Sequence, residues 1–335
     1  MSTALASSGV TAPTETTPPT ESRAEDLEPF RRELAGYCYR MLGSSLEADD
    51  AVQETMIRAW RNLDRFEGRS SLRSWLYRIA TNVCLDMQRS PQRRARPMDM
   101  GPAHRADGNL GDALPESTWL EPIPDAKVVQ DTDPGEMAAT RETIKLAFVA
   151  ALQHLPPKQR AVLILREVLR WHADEVAELL DSSVASVNSA LQRARATLAS
   201  REIDPLNVEV MGAEQQALLA RYVDAFERYD IESLVALLHE DAIMSMPPFD
   251  FWLTGPEQMG AWFLGQGHGC KGSRLVPTFA NGCAAFGSYR VDPDGGHMPF
   301  AVQVIEISGD RIVGHHNFLD TKLFALFGLP EHLDD

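Results

Sequence analysis

From Pro91 to Glu136 the chain mixes proline, glycine, aspartate and glutamate with no sustained apolar period. This interruption constrains the fold more than any other feature. Connections between packed helices usually run about 2–8 residues, and this one is far longer. The chain on either side must form separate packing units, and 91–136 reads as an acidic flexible linker between them.

Both flanks carry helical periodicity. In LEADDAVQETMIRAWRNL, the apolar residues Val52, Met56, Ala59, Trp60 and Leu63 recur at spacings of three and four. The pattern predicts helices over 27–43 and 46–63. After the turn FEGRSS, residues Leu72, Trp75, Leu76, Ile79, Val83 and Leu85 continue it, and Pro91 closes this unit. Beyond the linker, helix returns over 137–154. LPPKQR breaks it, with Pro156 and Pro157 near a new helix start. Ala173–Leu180, a turn at Asp181–Ser183 and Val184–Ala199 then fit a helix-turn-helix, with Val176, Ala177 and Leu180 packing against Val187, Leu191 and Ala194.

From Ala213 the texture changes. AEQQALLARYVDAFERYDIESLVALLHED reads as helix. The strand-like runs AIMSMP, FWLTG, RLVPTFA, CAAFGSY, MPFAVQVIEI and RIVGHHNFL follow, interrupted by a helix at PEQMGAWFLGQG. Helices followed by a meander of strands argue for an α+β domain. The expected architecture is multidomain: all-α units at 27–90 and 137–201, then an α+β unit at 213–329. Residues 1–26, rich in Ser, Thr and Pro, read as a disordered tail.

The 335-residue chain has formal net charge −16, unevenly spread. Residues 27–98 hold 13 basic and 9 acidic side chains and 141–201 hold 9 and 6, nets of +4 and +3. The stretch 99–140 has a net of −7 and 202–335 a net of −13. Two mildly basic modules thus sit in an acidic chain, the distribution expected of nucleic-acid-binding segments. The four cysteines, Cys38, Cys84, Cys270 and Cys283, form no C-x-x-C pair or zinc-like cluster, so buried thiols are expected, with no metal or cofactor. The N-terminus lacks a signal-peptide pattern and no apolar run reaches the roughly 18 residues of a membrane span. These features point to the cytoplasm, with no membrane partner.

Within the first module, FEGRSSLRSWLYRIATNVCLDMQRS interleaves arginines with Trp75 and Tyr77. That interleaving suits single-stranded nucleic acid, where bases stack on rings and phosphates meet guanidinium groups. It suits an ordinary amphipathic helix equally well.

DDAVQETMIRAW and FEGRSSLRSWLYRIATNVCLD resemble region 2 of sigma-70-family RNA polymerase sigma factors of the extracytoplasmic-function (ECF) type. LPPKQRAVLILREVLRWHADEVAELLDSSVASVNSALQRARATL resembles their region 4. The last unit is similar to SnoaL-like domains of the nuclear-transport-factor-like superfamily, which are cone-shaped. The resemblance implies a transcription initiation factor whose partners are core RNA polymerase and promoter DNA. It implies that Asp49, Asp50, Gln53, Glu54 and Arg58 face polymerase. It places Phe66, Arg69, Ser70, Ser71, Arg73, Tyr77, Arg78 and Asn82 on the melted −10 element, where a flipped base is captured. Trp75 stays open between core and contact. For the −35 element it implies Ser183, Ala185, Ser186, Asn188, Ser189, Gln192, Arg193 and Arg195, since the start of a recognition helix meets base edges. Asn188 and Ala190 stand where many relatives carry basic residues, which implies weaker direct phosphate anchoring.

In the tail, Met244, Met246, Trp252, Trp262, Phe300 and His316 are candidates for a pocket holding a small-molecule ligand. His315 and His316 must point to opposite faces of a strand. No base-and-oxyanion set emerges, which favours a regulatory domain over an enzyme. Its acidity suggests intramolecular contact with the basic sigma modules. Two alternatives stand beside the initiation factor: a stand-alone helix-turn-helix regulator, and a cyclase-like enzyme with a DNA-binding appendage.

Overall fold

The computed structural model describes residues 25–68, 70–88, 94–130, 133–199 and 212–334. Three helices form the first unit: α1 (Arg31–Leu42), α2 (Ser45–Asn62) and α3 (Leu72–Met87). Local chemistry sets their ends. Gly43 at φ 72° closes α1. The Ser44 side chain caps α2 by accepting from Glu47 N, and Ser71 caps α3 by accepting from Ser74 N.

The stretch expected to be a flexible linker is packed over much of its described length. Leu120, Ile123, Val128 and Val129 belong to the same core as α1 and α3. It includes a short α-helix, α4 (Asp125–Val128). The apolar cluster WLEPIPDAKVV drives this docking, because burying each large side chain yields about 1.5–3 kcal/mol, and its acidic neighbours remain at the surface or ion-paired.

The second unit comprises α5 (Pro134–Ile144), α6 (Leu146–Leu152), α7 (Pro157–Leu163), α8 (Ala173–Leu179) and α9 (Val184–Ala199). The single helix expected over 137–154 breaks at Lys145, whose backbone is non-helical. A π turn, Ile164–Val168, extends α7.

The tail begins with α10 (Ala213–Glu227) and α11 (Ile231–Val235). Strand β1 (Leu238–Ser245) then starts within the run expected to be helical, so His239 and Asp241 lie on a strand rather than at a helix end. β2 (Trp252–Thr254), α12 (Pro256–Leu264), β3 (Arg274–Ala280), β4 (Cys283–Val291), β5 (His297–Ser308), β6 (Arg311–Phe318) and α13 (Lys322–Leu326) complete it. The sheet order is β2-β1-β6-β5-β4-β3, with β1 parallel to β6 and the other pairs antiparallel.

Strand alternation gives the sheet two apolar faces. Leu218, Tyr222, Phe226, Met259, Trp262 and Phe263 cover one, with Phe286 and Ile305, and form the interior of the cone. Ala285, Tyr289, Val302, Val304 and Phe318 on the other face join the core of the helical units. This face, covered in part by the tail's own Leu323, Phe324 and Leu329, joins the tail and the helical units in one core.

Candidate polymerase and nucleic-acid interface

On α2, Asp49, Asp50 and Gln53 are exposed while Glu54 and Arg58 are half-buried. Asp49 is not free: Lys127 of α4 donates to its carboxylate at 2.5 Å. Arg58 turns away from this group. It pairs with Glu54 at 2.6 Å and lines a cavity of about 370 Å³ with Asn62, Arg65, Trp75, Ile79 and Asn82. The cavity presents two arginines, two amides and an indole, a set able to stack a base and bind phosphate. Phe66 packs on Trp75 with centroids 5.1 Å apart. Asn62 and Arg65 were missed in the sequence, although they follow Arg58 at i+4 and i+7, one helical face.

The other residues expected at the −10 element are not all available. Ser70 is half-buried and Ser71 exposed at the start of α3, and Arg69 lies outside the described residues. Tyr77 has no exposed surface. It packs between Tyr37, at 5.1 Å, and Trp171 of the second unit, at 5.0 Å. Its place on the inner face of α3 makes it core, and burial raises its phenol above the ordinary range. Arg73 pairs with Glu33 at 2.9 Å and lies over the Tyr77 and Trp171 rings. Arg78 donates to the Glu178 and Leu179 carbonyls at 2.6 and 3.3 Å. These are C-terminal carbonyls of α8, where the helix dipole favours a cation. The second unit thus sits on one side of the surface expected to face the −10 strand.

In α9, Val187, Ala190, Leu191 and Ala194 are buried. Ser183, Ala185, Ser186, Asn188, Ser189, Gln192, Arg193 and Arg195 are all exposed. Ala190 faces the core, so a basic side chain there would point away from DNA. Ser183 Oγ accepts from Ser186 N at 3.2 Å, ordering the helix start. Arg195 pairs with Glu167 at 2.5 Å.

Two buried junctions hold the units together. Arg160, 5% exposed, donates to the Leu152 and Leu155 carbonyls at 2.9 and 3.1 Å, and also to Met41 O of α1. The second lies at the β3–β4 turn, Asn281-Gly282, which has φ 56° and 73°, the left-handed pair that favours Asn-Gly in two-residue hairpins. Asn281 is fully buried. Its Oδ1 accepts from Ile123 N at 3.0 Å, and its Nδ2 donates to Tyr39 Oη at 2.6 Å and Ile144 O at 2.7 Å. Tyr39 in turn donates to Glu121 O at 2.8 Å. Gly282 N donates to Asp125 Oδ1 at 2.8 Å, and a Cβ on Gly282 would meet Arg141 at 2.8 Å. One turn of the tail therefore grips α1, the linker and the end of α5.

The six residues proposed for a tail pocket do not converge. Met244, Met246 and Trp262 pack inside the cone. Trp252 reaches outward and donates to Gly101 O at 3.0 Å. Phe300 is half-buried beneath Arg290, 3.3 Å from its ring centroid. His316 lies on the opposite face, the one that joins the core of the helical units, and bonds Ser245 at 2.8 Å. His315 is the histidine that enters the cone, because Met244 pairs with it and Ser245 with His316. Tyr222 Oη donates to Gln303 Oε1 at 2.8 Å and Asn317 Nδ2 donates to His315 Nδ1 at 3.2 Å. His315 Nε2 therefore carries the proton toward Tyr222, 2.8 Å away. Burial, reinforced by His316, pushes the His315 pKa down to about 3. It is a neutral, fully bonded group poorly suited to abstract a proton. Among the described residues no His, Cys, Asp and Glu cluster fits a metal ion, and no helix is long and apolar enough to cross a membrane.

Comparison with known proteins agrees with this geometry. The chain matches Sigma-70 region 2 over 27–94, Sigma-70 region 4 over 145–198 and a SnoaL-like domain over 219–315. It is 44% identical over 327 residues to the ECF RNA polymerase sigma factor SigG of Mycobacterium tuberculosis, covering 94% of this chain and 87% of that protein. It is 30% identical over 222 residues to SigJ of the same organism, covering 64% of this chain and 62% of that protein. The crystal structure of SigJ aligns over 91% of this chain and 99% of that one, with TM-score 0.57 and 20% identity, a likeness of fold.

Proposed function

The chain belongs to the ECF RNA polymerase sigma factors, and on that premise we propose that it is a promoter-selecting initiation factor held closed by its own tail. It binds core RNA polymerase and directs it to promoters in the cytoplasm. Region 2 engages the −10 element through Phe66, Ser70, Ser71, Arg73, Asn82 and the cavity bounded by Arg58, Asn62, Arg65 and Trp75. Region 4 engages the −35 element through Asn188, Gln192 and Arg193, with Ser183, Ala185, Ser186, Ser189 and Arg195 around them. Asp49, Asp50, Gln53 and Glu54 meet polymerase. The tail acts as a regulator rather than a catalyst.

The observation that carries the regulatory part is the Asn281 turn, by which the tail grips α1, the linker and the end of α5 while Arg78 of α3 rests on α8. The −10 and −35 elements lie somewhat under two helical turns apart, roughly 60 Å at ~34–36 Å per turn. Regions 2 and 4 cannot touch and span both. The closed arrangement must open before the factor engages a promoter.

The test is run-off transcription with purified core polymerase, comparing the full chain with one ending at Asp204. Specific initiation by either protein supports the assignment, and stronger initiation by the shorter chain supports restraint by the tail. Failure of both to bind core polymerase sinks the reading. Duplex binding without polymerase would favour the stand-alone regulator.

A further inference from the structure

The linker leaves the first unit and returns to it. Ala95 and Trp119 bridge in parallel, with Ala95 N donating to Thr118 O at 2.9 Å and Leu120 N to Ala95 O at 3.0 Å. Arg94, 6% exposed, fixes this base: it donates to the Glu116 and Trp119 carbonyls at 3.0 and 2.7 Å and pairs with Glu47 of α2 at 2.7 Å. Between the two ends, residues 97–117 form an arm that reaches across to the tail.

The arm lies along the rim of the cone. Trp252 O accepts from His104 N at 2.8 Å, beside the bond from the Trp252 indole to Gly101 O. Gln258 Oε1 of α12 accepts from Ala106 N at 3.0 Å, and Gln266 Nε2 donates to Gly108 O at 2.6 Å. Leu114 N donates to Pro248 O at 2.9 Å. The His104 ring packs on Phe251 at 5.1 Å, and Phe251 on Trp262 at 4.7 Å. Ala106 and Leu110 pack against the same apolar core of the cone. These attachments run from Gly101 to Leu114, so releasing one leaves the others in place. The second unit bonds the tail at Ile144 O, through the same Asn281 side chain that also holds Tyr39 of the first. The arm's attachments do not depend on that turn.

We propose that the arm commits the tail to region 2: when the closed arrangement opens, region 4 swings away and the tail stays on the first unit, its cone rim held by residues 101–114. Chain lengths permit this. Fully extended, the segment from Leu114 to Pro134 spans up to roughly 66–72 Å, and that from Ala199 to Ala213 up to roughly 46–50 Å, to which the tail's own breadth adds. Both accommodate the ~60 Å between promoter elements. The recognition helix is then released to reach the −35 element, while the tail remains beside the surfaces that meet polymerase and the −10 strand. The inference rests on the closed-state reading above for the opening itself; the hold of the arm on the cone does not.

Spin labels at the exposed positions Met87 on α3, Met298 on β5 and Ala196 on α9, taken in pairs in the full-length protein, test it. Distances are measured in the free chain, in Asn281→Ala, which removes the bonds of the turn, and in the polymerase–promoter complex. In the opened states the Met87–Met298 distance should hold and the Met298–Ala196 distance should lengthen. Lengthening of Met87–Met298 overturns the proposal, whether the tail follows region 4 or moves alone. A free chain already showing the long Met298–Ala196 distance refutes the closed-state reading instead. The double variant Gln258→Ala, Gln266→Ala removes two anchors of the arm and leaves the apolar core intact. Hydrogen exchange at the Ala106 amide should quicken in it by about tenfold or more, and Met87–Met298 should lengthen and broaden in the opened states. An Ala106 amide already exchanging at the rate of an unstructured chain in the wild type, or an unmoved Met87–Met298 distance in the double variant, overturns the arm's role.

Discussion

Replacing Asn281 with alanine should open the closed arrangement. The Asn281 side chain makes three hydrogen bonds, to Ile123 N, Tyr39 Oη and Ile144 O. Alanine removes all three and leaves at least two buried backbone groups without partners, each costing about 1–3 kcal/mol. Alanine also tolerates the left-handed φ of 56° less well than asparagine, a further cost of about 1 kcal/mol. Allowing for relaxation and entry of water, the loss is about 3–5 kcal/mol. At ~1.4 kcal/mol per tenfold, the closed-to-open ratio falls by about two to three and a half orders of magnitude. Asn281→Asp should act in the same direction, since it keeps an acceptor for Ile123 N but loses both donated bonds. The assay pairs small-angle scattering of the free protein with run-off transcription at limiting factor. The variant should expand, and its transcript yield should rise by about tenfold or more. Circular dichroism checks that the tail remains folded. A folded variant with unchanged scattering and unchanged yield would refute the latch.

Three further outcomes follow from particular contacts. Lys127→Ala should free Asp49 and strengthen core-polymerase binding modestly, by no more than about 1 kcal/mol because the pair is partly exposed, as read by competition for core enzyme. Asn188→Ala should cost about 1–3 kcal/mol of discrimination at one −35 base, whereas Arg193→Ala, as a phosphate contact, should weaken holoenzyme binding across sequences and lower the salt slope by about 1. His315 has its pKa lowered to about 3, so the unfolded chain binds a proton more readily below the ordinary range near 6.5. Its contribution to stability is intact above ~6.5 and falls by up to ~1.4 kcal/mol per pH unit toward 3, and His315→Gln should flatten that part of the denaturation profile relative to wild type.

The helical units were legible because their apolar residues repeat with a helical period and their ends carry explicit signals. Ser44, Ser71 and the double proline Pro156-Pro157 all sit where helices begin. The recognition helix Val184–Ala199 could be read to the residue. In the linker, composition and local pattern point in opposite directions. Its negative charge and prolines suggested a free spacer, while Leu120, Ile123, Val128 and Val129 held the docking signal. In the tail, alternation placed His315 and His316 on opposite faces but could not say which face the cone would cover. That depends on pairing with β1, where Met244 opposes His315. The runs RLVPTFA and CAAFGSY flank Asn281-Gly282, so the hairpin was readable. Its grip on Tyr39 spans 242 positions of sequence, and no local pattern encodes such a contact. Arg78 and Tyr77 show the same limit: residue type indicated a nucleic-acid surface, but only tertiary packing shows region 4 resting against it.

The most direct test of closure is a distance between spin labels at exposed positions on the two promoter-reading units that make no proposed DNA contact, Met87 on α3 and Ala196 on α9. It should be measured in the free chain, in Asn281→Ala, and in the polymerase–promoter complex. The account predicts one short, narrow distribution in the free chain and a broadened, longer one in the variant. In the complex it predicts a separation of order 60 Å, set by the spacing of the promoter elements. A free chain already showing the long distance, or a complex retaining the short one, would contradict it.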